Sequence, residues 1–206
     1  RSRRQRQMCI RDRICSVALI FIMFYGGFGT RWSEARPVAG KSVLLSSVGV
    51  VLTAVLTGLF CYFVLNMDFL EGMLIGSVLG STDAASVFSI LRSRKLNLKY
   101  GSASMLELES GSNDPFSYMM TIIVLTAMSG TMGVGQIAGM LASQLLFGLL
   151  VGAGVAFAAS RFLNRYQFYG EGFDTIFIFA VAIISYAFSS LIGGNGYLST
   201  YLTGII

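Results

Sequence analysis

Apolar side chains recur along this chain in blocks of similar length. They run from Ser42 to Leu65, Phe69 to Leu91, Met105 to Met128, Gln136 to Leu163 and Thr175 to Ile192. Each block is close to the roughly 20 residues that carry a helix across a hydrocarbon core of about 30 Å. Two shorter runs, Ile14 to Phe28 and Tyr197 to Ile206, read as spans cut short at the ends of the chain, which makes about six to seven spans in all. In lipid every backbone polar group must find its partner inside the protein, so blocks of this length predict helices. The expected architecture is all-α, a polytopic transmembrane helix bundle, and the shortened terminal runs predict that it is part of a larger protein.

Composition supports the membrane reading. The chain is 54% hydrophobic and 12% charged, with a mean hydropathy of +0.71, outside the range of soluble globular domains. Its net charge of +5 would otherwise point to nucleic acid, but the first thirteen residues, RSRRQRQMCIRDR, hold six of the fifteen basic residues and one of the ten acidic ones. The remainder is neutral, so the expected surroundings are a bilayer and no nucleic-acid partner is expected. Residues 1–13 carry no leader cleavage site and no visible helical pattern. They read as a non-native or mis-joined basic tail, in preference to a polybasic lipid anchor, ahead of a partial transmembrane domain, 14–206.

Cysteine and histidine usage narrows the chemistry. Cys9 lies in the tail, and Cys15 and Cys61 fall in apolar runs without CxxC spacing, so no disulfide framework, zinc site or other cofactor is expected. There is no histidine, which leaves a proton handled near neutral pH to a carboxylate. That narrows the candidates.

Charges between the blocks set an orientation. The connectors with Arg31, Arg36 and Lys41, with Arg92, Arg94, Lys95 and Lys99, and with Arg161 and Arg165 alternate with connectors that hold no lysine or arginine. By the positive-inside rule the basic connectors are cytoplasmic, so the spans Phe69 to Leu91 and Met105 to Met128 are antiparallel neighbours.

The second of these spans opens with ELESGSNDP, Glu107 to Pro115. Ser104 and Glu107 have the spacing of a capping box, which predicts a helix start near Met105 and a structural role for Glu107. Glu109 lies two residues further in, as a helix-end residue or as half of an ion pair. Asp114 falls near the middle of the span, where a carboxylate is costly and by default marks an ion or proton route. Ser110, four residues earlier, shares its helix face, and Asn113 is adjacent; a hydroxyl and an amide oxygen beside a carboxylate suit a hard cation. Pro115 removes a backbone donor and frees a carbonyl of the preceding turn.

The preceding span supplies a counterpart. Asp83 lies just past its middle behind Gly80, Ser81 and Thr82, a pattern that predicts a helix interrupted at the depth of Asp114, with bare carbonyls available to an ion. The alternative is that the hydroxyls back-bond within an unbroken helix and Asp83 pairs with a basic residue elsewhere.

With these residues in view, STDAASVFSILR, NLK and LELESGSNDP together resemble the bacterial branch of the monovalent cation:proton antiporters, with its NhaP-type Na+/H+ exchangers and K+/H+ antiporters. The resemblance covers Ile14 to Ile206. It implies an NhaA-like inverted-repeat bundle, incomplete in this chain, in a bacterial plasma (inner) membrane. It also implies electroneutral exchange of K+ or Na+ for protons, and a homodimer in the full-length protein. Carried over, Asp114 is the aspartate that exchanges a proton for the cation, with Asp83 beside it as the second catalytic acid; the cation ligands are Thr82, Asp83, Ser110, Asn113 and Asp114, and Glu109 is the acid paired with an arginine on a later helix. GGNGYLSTYLTGI, Gly193 to Ile205, is similar to the family's GGSGFLAVYVAGL. One departure concerns ion choice: where many members have FEGG or FDGG, this chain has Phe24, Tyr25, Gly26 and Gly27, and with FSILRSRKLNLKYG this favours the K+/H+ subgroup.

Two other classes are the alternatives. An intramembrane aspartyl protease also joins two aspartates on neighbouring spans, but the flanks here are STDA and SNDP rather than GxGD. A cation channel would line a continuous pore with repeated carbonyls or charges, and no such repeat is present. Finally, Gly148, Gly152, Ala156 and Ser160 form a small-residue stripe, read as a contact within the chain in preference to a dimer face.

Overall fold

A computed structural model describes residues 3–30, 32, 36–82, 102–130, 133–165 and 173–206. Among the described residues there is no strand, and seven helices follow one another: α1 (Arg3–Phe28), α2 (Ala39–Leu65), α3 (Phe69–Leu79), α4 (Ser102–Ser129), α5 (Val134–Arg165), α6 (Phe173–Leu191) and α7 (Gly196–Ile205). By length and apolar composition α2 and most of α5, Ala39–Leu65 and Gly135–Arg165, are sufficient to cross a membrane among the described residues. In α4 the polar run ELESGSNDP lowers the hydropathy of a helix of similar length.

The chain forms two compact units, residues 30–144 and residues 1–29 with 145–206. In the first, α2 inverts the usual pattern of a soluble helix. Its buried face is Ser42, Ser46, Val50, Ala54, Gly58 and Cys61, all small or medium-sized, while Leu44, Leu52, Leu56, Phe60 and Phe63 are exposed. That is the arrangement for a helix whose surroundings are lipid and whose protein contacts depend on close approach. The facing stripe on α3 is Gly72, Gly76 and Ser77. A Cβ on Gly72 would come 2.7 Å from Cys61 Cβ, and one on Gly76 would come 2.7 Å from Ala54 Cα. The turn between the helices is short because Asn66 adopts a left-handed conformation, φ 51°, and Asp68 caps α3 by accepting from the Leu70 amide at 3.2 Å. α4 packs along both helices, and Ser42 Oγ donates to its Met105 carbonyl at 3.1 Å.

In the second unit α7 packs against α1, α5 and α6. Gly27 of α1 meets the backbone of Tyr201, Gly204 and Ile205, and Gly204 in turn meets the backbone of Phe24 and Phe28, so that neither position has room for a Cβ. Between α6 and α7 the buried hydroxyl of Ser185 pairs with Ser199 Oγ at 2.8 Å and Thr203 Oγ1 at 2.7 Å. Gly148 and Gly152 of α5 face α7: added Cβ atoms would lie 3.1 Å from the Asn195 carbonyl and 2.7 Å from that of Ser199. This half of the small-residue stripe is a contact within the chain.

Two expectations are revised and a third is met. The helix start lies earlier than Met105: α4 already includes Ser102 and Ala103, so Ser104 sits inside the helix and not at its cap position. Residues 3–13, which show no helical pattern in the sequence, continue α1 as a helix; Arg, Gln and Met propagate a helix well once an adjoining segment has nucleated it. The block from Phe69 to Leu91 is not one continuous helix: α3 stops at Leu79, Gly80 closes it, and Ser81 and Thr82 are non-helical. The predicted interruption thus falls at the predicted residues.

Candidate cation site

α4 carries the polar cluster at mid-helix. Asp114 lies about 18 Å from the start of a helix about 42 Å long, and the helix runs without a break through the fully buried Pro115. Proline has no amide hydrogen, so the Gly111 carbonyl one turn earlier loses its usual donor.

The non-helical residues after α3 lie against this cluster. Ser81 Oγ donates to Asp114 Oδ1. Ser110 Oγ donates to the Thr82 carbonyl at 2.6 Å. The Asn113 amide nitrogen donates to Thr82 Oγ1 at 2.7 Å and to Glu109 Oε1 at 2.9 Å. Because a carboxylate only accepts, the contact with Glu109 fixes which end of the Asn113 amide faces it. Asn113 is 2% exposed and ties the unwound residues to α4, with both amide hydrogens committed. Asp114, Glu109 and Ser110 are half-buried, whereas Ser81 and Thr82 are exposed, so the cluster has one accessible side.

The structure therefore brings together Thr82, Ser110, Asn113 and Asp114 of the residues singled out in the sequence. Asp83 lies outside the described residues, as does the side chain of Glu107. Glu109, read as a helix-end or ion-paired acid, has Asn113 as a hydrogen-bond partner. Ser81 was legible only as a flank of the interruption; its contact with Asp114 depends on how the chain leaves α3, which spacing does not encode. The oxygens gathered here, a carboxylate, hydroxyls and a carbonyl outside the helix, are those that hard monovalent cations take. Among the described residues no three Cys, His, Asp or Glu side chains converge as a multivalent metal would require.

A membrane helix broken beside a mid-helix carboxylate is an arrangement that recurs in secondary transporters. The profile of the family described as sodium/hydrogen exchanger, transmembrane, matches residues 8–206, and this chain belongs to that family. It is 36% identical over 197 residues to the K(+)/H(+) antiporter NhaP of Alkalimonas amylolytica, covering 93% of this chain and 33% of that protein. It is 33% identical over 195 residues to the K(+)/H(+) antiporter NhaP2 of Shewanella sp. strain ANA-3, with the same two coverages. Among solved structures, the sodium proton antiporter MjNhaP1 from Methanocaldococcus jannaschii at pH 8 is similar with a TM-score of 0.75 and 23% identity, over 92% of this chain and 47% of that one. The chain spans about a third of the length of these K(+)/H(+) relatives, and the partial helical bundle it forms is an integral membrane fold.

Proposed function

We propose that this chain is the ion-handling portion of an electroneutral antiporter of a bacterial plasma membrane, exchanging a monovalent cation for a proton. The reading is carried by one observation: Asp114, at mid-helix, accepts from Ser81 at a helix break whose next residue is held by Ser110 and Asn113. Asp114 is the carrier. With a proton bound it is neutral and has no affinity for a cation; with the proton released, its carboxylate and the oxygens of Thr82, Ser110 and Asn113 take the cation, with Asp83 as a second acid of the site. Because one carboxylate serves both ions and Asn113 is neutral, one proton leaves for each cation that enters. The cargo is K+ in preference to Na+: the two antiporters compared above are K+/H+ exchangers, and Phe24-Tyr25-Gly26-Gly27 lacks the acid found before the glycines in many other members. The functional form is a homodimer of the full-length protein.

The test is cation-driven proton movement in vesicles holding the full-length protein, challenged in turn with K+, Na+ and Li+. Asp114→Asn keeps the shape of the side chain and removes the exchangeable proton, so exchange is expected to vanish while the protein stays folded. Retained exchange in that variant would exclude Asp114 as carrier. In the wild type, the rate is expected to fall at low pH, where the proton stays bound, and at high pH, where none is available to return. A rate that rises monotonically with pH would remove the competition on which the reading rests.

A further inference from the structure

On α4, Ser110, Asp114, Ser117 and Thr121 are spaced by four, three and four residues, so they form one stripe along the helix. The first two belong to the site. The other two continue the stripe towards α3. Ser117 is 5% exposed and its hydroxyl donates to the Ser77 carbonyl. Thr121 Oγ1 lies 3.1 Å from the hydroxyl of Ser77, which is fully buried and also reaches the Leu74 carbonyl at 2.8 Å.

The Ser77 carbonyl is a particular one. α3 ends at Leu79, so Ser77 is among the last four residues, whose carbonyls lack a partner within the helix. Had α3 continued, that carbonyl would accept from the amide of Ser81, the residue whose side chain reaches Asp114. Ser117 supplies a donor from a neighbouring helix instead. We infer that Ser117 is a positioning residue for exchange: its hydroxyl caps the broken end of α3 from α4 and so fixes, relative to Asp114, where the helix unwinds. Thr121 adjoins the same cap: its hydroxyl donates to the Ser117 carbonyl at 2.9 Å and lies 3.1 Å from that of Ser77. The cap and the carrier lie three residues apart on one rigid helix, so the depth of the break and the depth of the carboxylate are set by the same element. Without the Ser117 hydroxyl the Ser77 carbonyl is left to the Ser81 amide. α3 then winds further, and Ser81 and Thr82 are drawn away from Asp114, Ser110 and Asn113.

This inference rests on the antiport reading, and the experiment separates the two. In vesicles with the full-length protein, Ser117→Ala is expected to raise the half-saturating cation concentration by about tenfold, the scale of one lost hydrogen bond, and to shift the pH profile. Its maximal rate is expected to change much less. Ser117→Thr keeps the hydroxyl and is expected to restore both. Hydrogen exchange should show the Ser81 amide better protected in Ser117→Ala than in the wild type. Thr121→Val, which keeps the volume and removes the second contact, is expected to raise half-saturation about threefold; it carries the test if Ser117→Ala does not fold. The positioning role is overturned if Ser117→Ala, or failing it Thr121→Val, has wild-type half-saturation and pH profile while Asp114→Asn is inactive. If the wild type itself moves no protons with cations, or Asp114→Asn still does, it is the antiport reading that fails.

Discussion

The junction of α3 with α4 and the crossing of α1 with α7 each join two helices, by different means. At the first, polar side chains are interposed: Ser117 and Thr121 reach Ser77, Ser110 and Asn113 reach Thr82, and Ser81 reaches Asp114. At the second, Gly27 and Gly204 each lie against the other helix's backbone with no side chain between. In lipid there is little hydrophobic drive to bring helices together, so association depends on packing or on hydrogen bonds. The first junction is specified by chemistry and tolerates only side chains with the right donors. The second is specified by volume and tolerates only the smallest residue.

This contrast can be broken by substitutions that change one property at a time. Asn113→Ala is expected to lower the exchange rate the most, roughly 10- to 100-fold, since Thr82 Oγ1 and Glu109 Oε1 both lose a donor and such a loss costs about 1–3 kcal/mol. A vesicle assay checks it, and a rate within twofold of wild type would show that the tie between the break and α4 is dispensable. Gly204→Ala adds only a methyl group, yet is expected to destabilise the protein by about 1–3 kcal/mol through overpacking against Phe24 and Phe28. Thermal unfolding in detergent reads this as a loss of several degrees, with the cation dependence of surviving protein unchanged. Ser185→Ala removes a hydroxyl from the interface of α6 and α7 and is expected to cost about 0.6 kcal/mol, the average for a hydrogen bond between membrane helices. A loss as large as that for Gly204→Ala would mean that the second unit, too, is held by chemistry. The smallest expected effect is none: clamping vesicles at two membrane potentials under one cation gradient should leave the end-point pH unchanged. An end point that follows voltage would show a second titrating group in the cycle, with Asp83 the foremost candidate.

Much of the site was legible because its spacing is local. Asp114 stands out as a charge at mid-span, Ser110 follows from a four-residue step, and Gly80-Ser81-Thr82 announces the end of α3. The helix starts were less legible. Ser104 and Glu107 have the spacing of a cap, but α4 already includes Ser102 and Ala103, and tertiary contacts there, such as that of Ser42 with the Met105 carbonyl, are not encoded in spacing. Ser117 was passed over although it lies on the stripe of Ser110 and Asp114. A serine within an apolar run is ordinarily satisfied by its own helix, and only the end of α3 nearby makes this one different. The reciprocal glycines were visible as FYGG and YLTGI without any sign that the two motifs meet, since residues so far apart in the chain are joined only by the fold.

The outward face of α2 has a consequence for handling the molecule. With Leu44, Leu52, Leu56, Phe60 and Phe63 exposed and Ser42, Ser46 and Gly58 inside, oiliness is stored at the periphery and polarity within. Water is then the poorer solvent for the folded form, and an amphiphile must coat that periphery continuously once lipid is removed. Diluting a purified sample below the critical micelle concentration of its detergent would strip the coat and drive particles to coalesce through intact, correctly folded surfaces. Precipitation under those conditions is a colloidal event, and it carries no information about unfolding.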